Sequence, residues 1–434
     1  MAPVFSNIKR HDKRTLSFQL SPTRVTYANV LRRAVQTEVS ILGFRADMGE
    51  AGDTADVKIF KNSTPMSNEM LADRIGLLPI AMSPGEEGWE KESVLFRLKV
   101  VNDTEEFRTV TAADFECLEL REGDTERTRI PNTKFFHPDP VTGDTCILAV
   151  LKPMTEGQEP EEIHLETYAS LGKGREHARF NPTSQCSYGY TRDEDPARIK
   201  ELWVTWLREQ KKVDPADIAK DEKRRGVLER EFRSLEIYRC FKEDEEGEPY
   251  SYDFTIETLG TVDVQVIVYQ ALLAVAQLAE KYASVDRGEL PVNVEIRPAD
   301  AQMKGFDFWF RGEEHTLGNL LQTWIDDNKI VPINTGGVFF AGYKVPHPLR
   351  EEMVLRLGVD DENEETARMA IAEAAQGCAE MFRQWAQDWI TVTEDVGIVP
   401  PSTAETKTPW EAHANAKTRA NTNSANANTA KAKK

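Results

Sequence analysis

Between Arg14 and Leu20 apolar and polar residues alternate, placing Leu16, Phe18 and Leu20 on one side, the period of a half-buried strand. Seven residues further on, Tyr27, Val30, Leu31, Ala34 and Val35 recur at i, i+3, i+4, i+7 and i+8, one face of a helix. Sliding the chain by 290 residues reproduces both without a gap: Phe306, Phe308 and Phe310 alternate, and Leu317, Leu320, Leu321, Trp324 and Ile325 repeat the helical stripe. Asn29 reappears as Asn319. Ser21 and Pro22 form an N-cap and N1 pair that predicts the start of the first helix, and Thr316 is suited to start the second.

Each copy is followed by a longer amphipathic helix. The first carries Val264, Ile267, Val268, Ala271, Leu272, Val275, Leu278, Ala279 and Tyr282; the second carries Ile371, Ala374, Ala375, Cys378, Phe382, Trp385, Ala386 and Trp389. Strand-like segments precede both, Tyr252 to Ile256 and Met353 to Leu357. Two unrelated domains would explain the helices but not the gapless match. A sheet with two helices of this apolarity leaves one face uncovered, so the copies are expected to pack on each other as a pseudo-twofold pair within one chain. The intramolecular seam is then expected at Tyr27, Val30, Leu31, Val35, Val268, Leu272, Leu317, Leu320, Leu321, Trp324, Ile325 and Phe382.

Residues 84–247 interrupt the first copy and read as a separate, mainly β domain: Val94 to Val101 and Cys146 to Leu151 alternate as strands, broken by Pro131, Pro138, Pro140 and Pro153. Within it, Asp195 to Leu235 reads as charged helices with Trp203, Trp206 and Leu207 facing inward. The division expected is 1–83 and 248–290 for the first module, 301–396 for the second, and 397–434 for a disordered tail. From Glu411 onward that tail has no Leu, Ile, Val or Phe. The fold class is α+β, and Ser284 to Asp300 reads as a linker long enough, at about 50 Å extended, to let the two modules pair.

Composition narrows the function. The 434 residues are 40% apolar and 29% charged, with no run near the roughly 18 apolar residues of a membrane span. No apolar segment follows Met1, so an intracellular protein is expected. A net charge of −19 repels a polyanion unless basic residues are grouped, so direct DNA binding by most of the surface is not expected. The cysteines at 117, 146, 186, 240 and 378 include no C-x-x-C pair, and neither a metal nor a cofactor is expected. No P-loop, dinucleotide fingerprint, H-E-x-x-H or nucleophile elbow is present. Gly172-Lys-Gly174 has the composition of an anion cradle but also of an ordinary turn, Asp360 to Glu365 reads as the acidic lead-in to the last helix, and His315 and His347 read as structural.

Several segments carry a resemblance. Ala28-Asn-Val-Leu-Arg-Arg33 and Glu314-His-Thr-Leu-Gly-Asn-Leu-Leu321 resemble the helix signature of the bacterial RNA polymerase alpha subunit N-terminal domain. Asn62 to Pro79 and Gly174-Arg-Glu-His-Ala-Arg-Phe-Asn-Pro182 resemble the third-largest subunit of RNA polymerase II and its D-type counterpart in archaeal polymerases. Glu314 to Leu321 with Phe340 to Leu349 resembles their partner, the eleventh subunit of RNA polymerase II and its L-type counterpart in archaea. The resemblance spans most of residues 14–392, and the fused order is similar to that in large nucleocytoplasmic DNA viruses.

The resemblance implies a non-catalytic scaffold of a DNA-directed RNA polymerase, on which the second-largest and largest subunits dock and small subunits assemble. It implies no homo-oligomer and no membrane, and for a virus, action in a viral factory in the host cytoplasm, in the nucleus or in the virion. Other classes are a free-standing regulator that mimics the dimer, or an enzyme in its own right. The resemblance places Arg33 where the alpha subunit meets its large partner. Helical geometry turns Arg32 and Arg33 away from the apolar stripe, and Arg74 is the next candidate. Asp73 stands where the family usually has His. Gln322-Thr323 replaces Arg32-Arg33 in the second copy, so the pair is expected to be electrostatically one-sided.

Overall fold

A computed structural model describes residues 3–46, 56–81, 89–120, 126–218, 221–299 and 303–395, so the tail expected at 397–434 lies outside the described residues. The chain opens with β1 (Phe5–Arg10), β2 (Thr15–Leu20), α1 (Val25–Thr37), β3 (Ser40–Gly43), β4 (Val57–Asn62) and α2 (Asn68–Gly76). A β-rich stretch follows: β5 (Val94–Asn102), β6 (Arg108–Thr111), β7 (Phe115–Glu119), β8 (Thr128–Ile130), β9 (Ile147–Leu151), β10 (Glu161–Tyr168), β11 (Ser170–Lys173) and β12 (Thr183–Tyr190). Next come α3 (Pro196–Glu209), α4 (Pro215–Ile218) and α5 (Glu222–Ser234), then β13 (Tyr252–Thr258) and α6 (Val264–Glu280). The last third is β14 (Val294–Pro298), β15 (Gly305–Arg311), α7 (His315–Asn328), β16 (Val338–Lys344), β17 (Glu352–Val359) and α8 (Glu364–Asp395).

Two four-stranded antiparallel sheets carry the repeat. Their orders, β1-β2-β13-β12 and β14-β15-β17-β16, are the same order written in two sets of numbers. In the first, Phe18 lies opposite Phe254 with rings stacked at 5.0 Å, and in the second Phe308 lies opposite Leu355. The inward residues are those that alternate in the sequence, because a strand turns successive side chains to opposite faces.

Three sequence expectations are corrected here. Helix α1 starts at Val25 rather than beside Ser21-Pro22, because Ser21 and Thr23 donate backbone hydrogen bonds to Val4 and Tyr250 and hold that segment extended. The Ser21-Pro22 peptide is cis. The linker from Ser284 is not a free tether: β14 lies within it and forms the edge strand beside β15.

The third correction concerns the interruption at 84–247. Strand β12 lies inside it yet completes the first sheet, whereas β4 lies before it yet joins its main sheet, ordered β4-β10-β5-β7-β8. The apolar core is continuous across the boundary: Phe44, which follows β3, meets Phe96 of β5 edge-on at 5.2 Å. Among the described residues of the interruption, only α3, α4 and α5 enclose a core of their own, with Trp206, Leu207, Ile218, Leu228 and Phe232 buried and Trp203 packed against them.

Candidate assembly interface

Helices α1 and α6 of the first repeat meet α7 and α8 of the second, and the seam is built from the stripes that define each helix. Tyr27, Val30, Leu31, Val35, Val268 and Leu272 are buried in one cluster together with Leu320 and Phe382, which reach it from the second repeat. Leu317, Leu321 and Ile325 differ from the expectation. They point into the second repeat's own core, between α7 and its sheet, and Trp324 bridges the two cores while half-buried.

The Trp324 ring packs against Gly377 of α8, where a Cβ would come within 2.5 Å of it. A helical glycine costs about 1 kcal/mol against alanine in propensity, and here it permits the close approach of α7 to α8.

The largest contributions missed by the sequence reading come from the far half of α8. At 32 residues this helix is about 48 Å long, whereas four strands span only about 15 Å, so it overhangs its own sheet. Trp389 is fully buried, donates its indole N–H to the Gln265 carbonyl at 2.9 Å, and meets Phe5 and Phe18 edge-on at 5.1 and 5.0 Å. Trp385, Ala386, Cys378 and Ala379 belong to the same cluster. The signal was present in the unbroken stripe from Ile371 to Trp389; what it packs against was not. In the reverse direction Leu278 and Tyr282 enter the second core, and the Tyr282 hydroxyl donates to buried Glu313 at 3.0 Å while accepting from Asn293 at 2.8 Å.

Polar contacts fix the register of α1 on α7. The Arg33 Nε donates to Thr316 Oγ1 at 2.8 Å, and the Thr323 hydroxyl bonds Thr26 Oγ1 at 3.0 Å. Under the 290-residue shift Arg33 becomes Thr323 and Thr26 becomes Thr316, so each bond is the image of the other. A self-complementary contact of this kind is what a twofold axis produces. Arg33 is therefore engaged across the seam, with Glu314 at 3.8 Å, instead of projecting freely outward. The reason is reach: a guanidinium on the flank of the stripe extends across to the neighbouring helix.

Arg32 bonds Asn29 and Gln36 of its own helix, each at 3.0 Å. Arg74 is distant in sequence from both and donates to the Leu148 and Ile147 carbonyls of β9 at 2.7 and 2.9 Å. Asp73 beside it is exposed.

At the other end of α1, a cleft of about 530 Å³ is lined by Arg24, Tyr27, Tyr250, Asp326, Asp327 and Trp385, among others. Arg24 pairs with Asp327 at 2.9 Å. Burial raises the Asp327 carboxyl above its ordinary range, against the pull of Arg24.

The quoted motifs acquire mechanical roles. Gly174 sits where a Cβ would fall 2.0 Å from the Gln36 carbonyl, and Arg175 then pairs with Glu38 at 2.8 Å, tying this loop to the end of α1. Phe180 covers Gly43 and Gly172, and Arg179 donates to the Phe44 carbonyl at 3.0 Å. Gly172-Lys-Gly174, the end of β11 and the residue after it, is thus a close-packed joint. In the other motif, Ser67 caps α2 by accepting from Met70 N, and Leu71, Ala72 and Ile75 are buried. His315 lies 3.4 Å from the Tyr343 hydroxyl, and His347 Nδ1 accepts from Leu349 N at 3.1 Å. Burial pushes the Cys117 and Cys186 thiols up to about 12, Cys146 is exposed, and among the described residues no three metal-ligating side chains converge.

The class that these features define is a mixed α+β fold in which a four-stranded antiparallel sheet with a shorter and a longer helix occurs twice. Comparison with known proteins narrows it: residues 306–388 match the RNA polymerase Rpb3/Rpb11 dimerisation domain. The chain is 28% identical over 296 residues to DNA-directed RNA polymerase subunit Rpo3 of Methanopyrus kandleri, covering 63% of this chain and 91% of that protein. It is 23% identical over 290 residues to the Rpo3 of Pyrococcus furiosus, covering 65% and 97%. With subunit 3B of the DNA-directed RNA polymerases IV and V of Arabidopsis thaliana it shares 28% over 211 residues, covering 45% and 59%. The two archaeal proteins are matched over nearly their full length, and more than a third of this chain lies beyond each of those matches.

Proposed function

We propose that this chain is a non-catalytic assembly subunit of a DNA-directed RNA polymerase, in which an Rpo3-like module and an Rpb11-like module are joined as an intramolecular pseudo-dimer. The observation that carries the reading is the exchange of the Arg33–Thr316 and Thr323–Thr26 bonds under the repeat shift. The similarity to Rpo3 and the dimerisation-domain match at 306–388 support the polymerase setting. In this reading the first module comprises 1–83 and 248–290 together with β12, the second 301–396 together with β14, and the rest of 84–247 is an insertion that shares the first module's core. The paired modules are the platform for the second-largest and largest subunits, small subunits join the same assembly, and DNA is met only through the complex. The chain works inside a cell, within a virus-encoded polymerase if the fusion reflects such an origin.

Arg32 and Arg74, with exposed Met70 on α2 and Leu77 just after it, form the partner-facing side of the reading, and Arg33 sets the seam that orients it. Co-expression with both large subunits tests it. A stoichiometric complex from which Arg32→Glu with Arg74→Glu removes the second-largest subunit, without unfolding this chain, is the expected outcome. Purification of the chain alone, with no association, would favour a free-standing mimic of the pair. Nucleotide turnover by the isolated chain would favour an enzyme.

A further inference from the structure

The helical excursion α3–α5 differs in charge from the molecule that bears it. From Pro196 to Cys240 there are 12 Lys and Arg against 9 Asp and Glu, a net +3 within a chain of net −19. The excess is not spread evenly around α5. Leu228 and Phe232 mark the buried side, and at 100° per residue the opposite sector holds Lys223, Gly226, Val227, Arg230, Arg233 and Ser234, with no carboxylate. An ordinary solvated helix face mixes both signs. Two of the three α5 carboxylates are paired on the flanks, Glu229 with Arg225 at 2.7 Å and Glu231 with Lys211, and the third, Glu222, lies in the first turn outside that sector. Lys223, Arg230 and Arg233 make no ion pair among the described residues. Three apolar side chains are left in water on or just after this helix: Val227, Leu235 and Tyr238 are 54%, 66% and 60% exposed.

We propose that the outward face of α5 is a docking surface for an acidic segment of a partner polypeptide carrying apolar side chains. Charge complementarity supplies the sign, and the exposed Val227, Leu235 and Tyr238 supply apolar area for a partner's core contacts. A nucleic acid fits less well. The stripe from Lys223 to Arg233 is about 15 Å long, whereas duplex DNA carries a charge every ~1.7 Å and continues past the stripe onto a surface of strongly negative balance. A short acidic segment ends where the stripe ends. This proposal does not depend on the polymerase reading.

The test uses the full-length chain and a fluorescein-labelled peptide of about twelve residues with Glu and with Leu or Phe set along one helical face at i, i+3, i+4 and i+7, long enough as a helix to cover the stripe. The expected result is salt-sensitive binding, weakened at least about tenfold by Lys223→Gln, Arg230→Gln and Arg233→Gln together and severalfold by Val227→Ser with Leu235→Ser. The exposed positions of all five leave the thermal transition unchanged. A twelve-nucleotide oligothymidylate should bind more weakly than the peptide. Absence of peptide binding at low salt, equal affinity in the charge variant, or tighter binding of the oligonucleotide would each overturn the proposal.

Discussion

The two repeats share a strand order and a helix pair yet are loaded differently. In the first, residues 38–182 separate α1 from β12, and a second sheet is built within them. In the second, residues 329–337 alone join α7 to the corresponding β16. The helices show the opposite bias: α6 has 17 residues and α8 has 32. On the outer sheet faces, the Ser17 and Thr255 pair of the first corresponds to Asp307 and Arg356 of the second, bonded bidentately at 2.6 and 2.8 Å. The lesson is that the seam, where each helix must meet its image, constrains both copies, while loops and outer faces away from it are free to diverge.

The comparison predicts unequal costs for the two reciprocal anchors. Trp389→Ala should destabilise the chain by about 3–5 kcal/mol in urea unfolding, since it empties a fully buried indole site and removes the bond to Gln265. Tyr282→Phe, in the opposite direction, should cost about 1–2 kcal/mol because Glu313 stays buried without its hydroxyl donor. Equal losses would mean that the α8 overhang is not the principal clamp.

Gly377→Ala should cost about 1–3 kcal/mol by pushing Trp324 off α8, although alanine is the better helix former. A stabilised variant would show that the contact is looser than described. Arg33→Glu should cost about 1–2 kcal/mol, as it exchanges the Thr316 bond for repulsion against Glu314, and Thr323→Ser at the equivalent position should change the melting temperature little. Equal effects at the two sites would remove the proposed one-sidedness of the seam.

The smallest effect is kinetic. Cys146 is exposed and should be alkylated first, whereas Cys378 is fully buried in the seam and its thiol is pushed up by that burial. Cys378 should react only as the helices separate, and faster in Trp389→Ala. Prompt labelling of Cys378 in the unaltered chain would show that the seam is open in solution. Light scattering should give one 49.1 kDa chain, since the pairing surface is already occupied from within.

By itself the sequence determined the repeat, the central strands β2, β13, β15 and β17 and the four seam helices. A period of 2 or 3.6 in apolar residues is a local property that survives without knowledge of the partner. It determined α3 and α5, with Trp203, Trp206 and Leu207 on the inner side, for the same reason. Edge strands β1, β12, β14 and β16 were less legible. Thr183 to Tyr190, for example, has buried positions only at Thr183 and Cys186, because an edge strand is defined by the neighbour it bonds and not by its own stripe. Tertiary structure alone decided that Arg33 turns across the seam, that Leu317, Leu321 and Ile325 face inward to their own core while Leu320 crosses, and that Trp389 anchors a foreign sheet. Those outcomes depend on which surface lies within reach of a side chain, and a periodic pattern states that a face is apolar without stating what covers it.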